Sequence, residues 1–136
     1  MTVPIRPKAV DHVALKVTDM DASLRFYHDV LGMELLRASG PHDNGGRSAN
    51  LAAGDQKLDL FSRPDFVSAD KDKPVGMDHV CLVVETESVD GLMAYLKDAG
   101  VEIFWAPVVR HGHTSVYVYA PDGVHVELRV EEVATP

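Results

Sequence analysis

The sequence Asp11-His12-Val13-Ala14-Leu15-Lys16-Val17 returns as Asp78-His79-Val80-Cys81-Leu82-Val83-Val84, a displacement of 79 − 12 = 67 residues in a chain of 136. Each copy alternates polar and apolar residues through a histidine, as a strand with one covered face does, and each leads into an amphipathic segment. A period of this length exceeds the 20 to 50 residues of solenoid units, so the repeat reads as a duplication of one α+β module. A chain of this size forms a single compact domain, so the duplication predicts two halves of one domain.

The modules are expected at residues 9–61 and 77–130, joined by a linker at 62–76 that carries Pro64, Pro74 and Gly76. In the first, the order is a strand over 9–17, a helix capped by Asp19 or Asp21 with Leu24, Tyr27, Val30 and Leu31 as its stripe and Gly32 as its stop, then strands over 33–38, 47–51 and 57–61. Gly40 to Gly46 is a turn-rich loop long enough to move, and Gly54-Asp55 makes a hairpin turn. The second repeats the order: strand 78–84, helix 88–99 with Val89, Leu92, Met93 and Leu96 inward, strand 101–105, a basic loop over 106–112, strand 113–119, a β-turn at 120–123 and strand 124–130.

Composition narrows the partners. A net charge of −8 argues against nucleic acid or anionic membrane as a ligand, since both require a basic surface. A single cysteine, Cys81, leaves no internal disulfide framework and suits a reducing compartment. No apolar run has the length of a signal sequence or a membrane span, so the expectation is a cytoplasmic protein acting on a small molecule.

The chemistry follows from where the acids fall. Asp59 lies 59 − 12 = 47 residues after His12, and Glu127 lies 127 − 79 = 48 after His79, so each module has a histidine on its first strand and a carboxylate in the middle of its fourth. Imidazole with carboxylate is a donor set for Fe, Ni, Zn, Mn or Co as the divalent ion. A metal also gives a reason for acids between apolar neighbours. The structural alternative is a packed histidine and an acid on the solvated face of a sheet.

Three stretches carry a family resemblance: Asp11 to Leu15, Ser23 to Tyr27 running into Val30 to Met33, and Pro121 to Leu128. Together they resemble the vicinal oxygen chelate superfamily, which includes glyoxalase I, fosfomycin-resistance enzymes, extradiol dioxygenases, methylmalonyl-CoA epimerase and bleomycin-binding proteins. The resemblance spans about residues 9 to 130. It implies two βαβββ modules whose paired sheets curl around a metal cavity, in a homodimer with sites shared between chains. His12, His79 and Glu127 match the family's metal positions. Asp59 stands where glyoxalase I has a glutamate, one carbon longer, so direct and water-bridged ligation are both open. Tyr117, ten residues before Glu127, matches the offset of the catalytic tyrosine in extradiol dioxygenases.

Three activities remain in view. A glyoxalase-like lyase or isomerase would stabilise an enediolate at one divalent ion per site while Glu127 or Asp59 moves a proton; its use of glutathione requires cationic anchors among Arg37, Arg47, Arg110 and the lysines. An Fe(II) extradiol dioxygenase would use His12, His79 and Glu127 as a facial triad with Phe61, Trp105 and Tyr117 as an aromatic wall. A binding or resistance protein would hold a ligand without turnover. His111 and His113 are expected as loop residues at the cavity mouth or simply exposed to solvent, His125 in phase with Glu127, and Cys81 as a small buried residue. Segments 40–46 and 106–113 are expected to set specificity.

Overall fold

The computed structural model describes residues 11–66, 79–110 and 112–134. Ala9, Val10, Asp78, His111 and residues 67–76 of the expected linker lie outside them. The chain divides into two compact units at Phe66/Val67, and each builds one four-stranded mixed sheet.

In the first unit β1 (His12–Val17) leads into α1 (Met20–Leu24), which continues as a π-helical segment over Arg25–Val30, and then into β2 (Glu34–Ser39), β3 (Arg47–Ala53) and β4 (Gln56–Ser62). The sheet order is β1-β4-β3-β2. β1 runs parallel to β4, which requires the helical crossover between them, whereas β2/β3 and β3/β4 are antiparallel. Asp19 caps α1 by accepting from the Ala22 N–H at 3.0 Å; Asp21, the other candidate, pairs with Arg47 at 3.0 Å. Gly32, at φ +76, ends the helical run.

The stripe of this helix differs from the expected one. Met20, Ser23, Phe26 and Tyr27 are buried, while Leu24, Val30 and Leu31 are only partly covered. The wider π turn rotates the later residues relative to a 3.6-residue periodicity. Leu15 and Val17, Ala49 and Leu51, Leu58 and Leu60 complete the covered face of the sheet. His12, Ala14 and Lys16 alternate with them and point to the opposite, exposed face, in register with Lys57, Asp59 and Phe61.

The second unit repeats the order with β5 (Val80–Thr86), α2 (Val89–Asp98), β6 (Ile103–Arg110), β7 (His113–Tyr119) and β8 (His125–Glu132), arranged β5-β8-β7-β6 with β5 parallel to β8. Ser88 caps α2 through the Gly91 N–H at 3.0 Å, and Gly100, at φ +78, follows it as Gly32 follows the first helix. Leu96, Val116, Val118, Val126 and Leu128 are fully buried, each removing roughly 1.5–3 kcal/mol of apolar side chain from water.

The expected loop at 106–112 is largely strand. β6 continues to Arg110, pairing Val108 with Ser115 and Arg110 with His113. Pro107 and Gly112 suggest a loop, but β6 is an edge strand in which Pro107 falls at a register break, where a missing N–H is tolerated. Two such breaks occur: Ile103 faces Val118, Trp105 faces Tyr117 and Val108 faces Ser115, so β6 carries an extra residue in each interval. The loop at 40–46 is also more ordered than its glycine content suggests. His42 N–H bonds to Gly46 O at 2.9 Å, Gly45 N–H to His42 O at 2.8 Å and Gly46 N–H to the Asn44 side chain at 2.8 Å. A side chain on Gly40 would strike Gly46 O at 2.4 Å. At 120–123 the turn has Pro121 in the second position and Asp122 at φ 66, closed by Gly123 N–H to Ala120 O at 3.2 Å.

Candidate metal centre

The exposed face of each sheet carries one imidazole beside one carboxylate. In the first unit His12 Nε2 lies 3.6 Å from Asp59 Oδ2. Asp59 is mostly buried, and its other oxygen accepts from Asn50 Nδ2 at 2.7 Å. His12 Nδ1 is 2.8 Å from Asp11 Oδ2, which assigns the proton to Nδ1 and turns the Nε2 lone pair toward Asp59 in the neutral ring. Two acceptors then face each other, an arrangement that a shared proton or a cation resolves. The Asp11 carboxylate, and after it the charge of Asp59, raise the pKa of His12 above the ordinary histidine value.

In the second unit His79 Nε2 lies 3.0 Å from Glu127 Oε1. The other oxygen of Glu127 accepts from Ser115 Oγ at 2.7 Å, and the Tyr117 hydroxyl donates to the same carboxylate. Burial, the largest single influence on Glu127, favours its neutral form, but the donors Ser115 and Tyr117 together with His79 outweigh it and hold the pKa below the usual carboxylate value. Glu127 is therefore an anion at neutral pH. Burial and the hydrogen bond to Glu127 push the Tyr117 phenol up, so it remains protonated.

These distances suit a cation. Nitrogen and oxygen ligands each about 2.1 Å from one ion are separated by about 3.0 Å at a right angle and about 3.4 Å at the tetrahedral angle. The His79–Glu127 and His12–Asp59 separations fall close to these values. Each carboxylate also has one oxygen tied to a neutral donor and the other turned to the imidazole, the outer-shell support that orients ligands. Among the described residues no group of three or more His, Cys, Asp or Glu side chains gathers at one point. Within each unit the donor set is a pair.

Around Glu127 the sheet is strongly aromatic. Trp105 stacks on Tyr117 at 5.0 Å between centroids, and the Arg110 guanidinium lies over Trp105 at 4.7 Å. Phe104 stacks on Tyr119 at 4.3 Å and approaches His125 at 4.7 Å. Neighbours in a regular strand point to opposite sides; the extra residue between Ile103 and Trp105 lets Phe104 and Trp105 share one.

The remaining candidates are distributed differently. His125 joins the aromatic group through Phe104 and Tyr119. His113 begins β7 and accepts from Arg129 Nη2 at 3.1 Å, while His111 is outside the described residues. Cys81, expected to be buried, is exposed, because it shares the open face with Glu127, its partner in register. Crowding by its neighbours on the sheet, which strips part of the water from the thiol, and then Glu127 push its pKa up, so it is no ready nucleophile. Alternation puts Ser115 on one face of its strand with Tyr117 and Tyr119, but its bond to Glu127, and that of Asn50 to Asp59, come from the structure. The signal was available: Asn50 is the residue facing Asp59 across β3/β4, and Ser115 precedes Tyr117 by one strand period.

The sequence model of the Glyoxalase/Bleomycin resistance protein/Dioxygenase superfamily matches residues 9–128. The chain belongs to this superfamily. Among superfamily relatives, a probable lactoylglutathione lyase of Synechocystis is 31% identical over 121 residues, 86% of this chain and 91% of that protein. The mitochondrial methylmalonyl-CoA epimerase of Bos taurus is 28% identical, over 88% of this chain and 72% of its own length. A solved glyoxalase/dioxygenase from Nostoc punctiforme superposes with a TM-score of 0.78 at 26% identity, covering 96% of this chain and 98% of the other. The two βαβββ units of this superfamily member thus follow the same fold as that structure. No helix among the described residues is long and apolar enough to cross a membrane.

Proposed function

We propose that the chain is a divalent-metal-dependent enzyme acting on a small substrate that presents two adjacent oxygens, with lyase or isomerase chemistry as its reaction. The carrying observation is the Glu127 carboxylate: fixed by Ser115 and Tyr117, anionic, and 3.0 Å from the His79 imidazole, with a second imidazole–carboxylate pair on the other sheet. In this reading His12 and Asp59 of the first unit and His79 and Glu127 of the second are the metal ligands. The names of two relatives, a lyase and an epimerase, support this class of reaction.

A bound divalent ion supplies Lewis-acid polarisation of the substrate oxygens. The chain's own groups do the rest. Glu127 or Asp59 removes a proton from the carbon next to the carbonyl and returns it to the neighbouring carbon, so that no oxidant is consumed. The Tyr117 hydroxyl orients the Glu127 carboxylate, and the aromatic side chains of β6 and β7 exclude water. We further propose a homodimer with shared sites and a cytoplasmic location.

The test uses protein purified without chelator. Elemental analysis is expected to give one divalent ion per proposed site, and the reconstituted Ni(II), Zn(II), Mn(II), Co(II) and Fe(II) forms are then assayed with the hemithioacetal of methylglyoxal and glutathione and with α-hydroxy ketones in D₂O. Deuterium entry next to the carbonyl, lost in the metal-free sample, is the expected result. A second reading is favoured by the Trp105–Tyr117 stack beside Glu127: an Fe(II) extradiol dioxygenase. Anaerobic Fe(II) loading followed by catechols and air would then give a coloured ring-fission product, with no deuterium incorporation. Ligand retention that survives both metal removal and His79→Ala would instead make the chain a binding or resistance protein.

A further inference from the structure

On the same face of the first sheet, the next register pair beyond Ala14–Asp59 is Lys16–Phe61, two residues or about 7 Å along the strand. Here a pocket of about 450 Å³ opens within the first unit, lined among others by Lys16, His42, Arg47, Phe61, Arg63 and Phe66. This is within the range of small-molecule sites. None of the described residues that line it is an aspartate or a glutamate, in a chain whose acids outnumber its Lys and Arg by 21 to 13. Three permanent cations line one pocket in a chain of net negative charge.

The apolar part of the pocket holds these cations rather than competing with them. Lys16 Nζ and the Arg63 guanidinium lie 5.2 Å and 5.1 Å from the centre of the Phe66 ring, so both charged heads are held against the same side chain. Arg63 also accepts positioning from Asp65, to which it donates at 3.0 and 2.7 Å, and Arg47 pairs with Asp21 at 3.0 Å. Asp65 and Asp21 are both solvent-exposed; the single contact of Asp21 to Arg47 is of the kind that contributes little, whereas the two-point pair with Asp65 fixes the Arg63 guanidinium in place. An incoming anion would displace Asp21 from Arg47 and share the Arg63 guanidinium with Asp65. Phe61, 43% exposed, offers an uncommitted apolar surface beside them.

We propose that this pocket binds the anionic end of a small organic molecule, a carboxylate or phosphate ester attached to an apolar body, with Lys16, Arg47 and Arg63 as the anion contacts and Phe61 and Phe66 as the apolar floor. Its position on the face of His12 and Asp59 makes it the tail site of the substrate, an assignment that rests on the proposed function; the binding of the anion itself does not. A substrate would then carry its chelating oxygens and its anion a few bonds apart.

The experiment follows backbone amide shifts of the metal-free full chain on titration with phenyl phosphate, phenylacetate and neutral benzamide. Both anions are expected to give saturable shifts at Lys16, Ser48 and Arg63, weakened by raising the salt, while benzamide gives none; the tighter of the two tells a phosphate tail from a carboxylate one. Lys16→Gln and Arg63→Gln, both at exposed positions, are each expected to weaken binding roughly tenfold, as loss of a charge-assisted hydrogen bond does. His79→Ala is expected to bind the anions as wild type does, so a failed metal centre leaves this result standing. Absence of shifts at these three residues in the wild-type protein, or anion binding unchanged in both Gln variants, would overturn the proposal.

Discussion

His79 Nε2, from the residue that immediately precedes β5, stands 3.0 Å from Glu127 Oε1 on β8, while the other oxygen of Glu127 is held by Ser115. One carboxylate thus has a fixed oxygen and a working oxygen. His79→Ala or Glu127→Gln is expected to lower metal affinity by more than about 100-fold, beyond the range for outer-shell losses, and to abolish turnover. Metal content after dialysis against a weak chelator measures the first, and the deuterium-exchange assay the second.

Ser115→Ala and Asn50→Ala leave all four proposed ligands in place but release the fixed oxygen of Glu127 and of Asp59. Each is expected to weaken metal binding by about 10- to 100-fold. Competition titration with a chromophoric chelator reads this, and equal affinity in wild type and both variants would remove the outer-shell role.

His12 in the metal-free protein is expected to titrate above the ordinary histidine range, because protonation is favoured first by the Asp11 hydrogen bond and then by the charge of Asp59. Asp11→Asn removes the larger contribution and moves the titration down. The ring-proton chemical shift of His12 followed against pH decides it; an upward move or none contradicts the assigned hydrogen bond.

Much of this arrangement is legible in the sequence because its period is simple. Alternation places His12, Ala14 and Lys16 on one side of β1, and the near-equal offsets from His12 to Asp59 and from His79 to Glu127 reflect the same crossover built twice. The misread parts are those where the local period changes. The π segment over Arg25–Val30 brings Phe26 inward in place of Val30, and the register breaks in β6 keep a proline-containing stretch in the sheet. Neither has a signature that separates it from a regular helix or a loop. The convergence of Lys16 and Arg63 was equally hidden, since 47 residues separate them in the chain and Phe66, which gathers them, belongs to the expected linker.

Ser88→Ala removes the side-chain cap of α2, which accepts from Gly91 N–H. A loss of about 1 kcal/mol is expected, seen as a lower midpoint in urea with an unchanged slope. Metal affinity is expected to stay at the wild-type value, since the cap touches none of the proposed ligands; a parallel loss of metal would contradict that separation.

Trp105 is the single tryptophan, stacked on the tyrosine that bonds Glu127. Co(II) or Ni(II) binding is therefore expected to quench its emission in step with metal uptake, and His79→Ala to remove the response. Constant emission while metal content rises would place the ion elsewhere.

The paired register breaks between Ile103 and Val108 also separate two kinds of sequence change. Exchanging Phe104 or Trp105 for another ring alters what lies beside Glu127 without re-registering β7. Losing a single residue from this interval would instead transfer Val108 and Arg110 to the opposite side and uncouple the guanidinium from the indole. Among descendants of this chain, diversity here is thus expected as replacement at constant spacing, with insertions and deletions selected against.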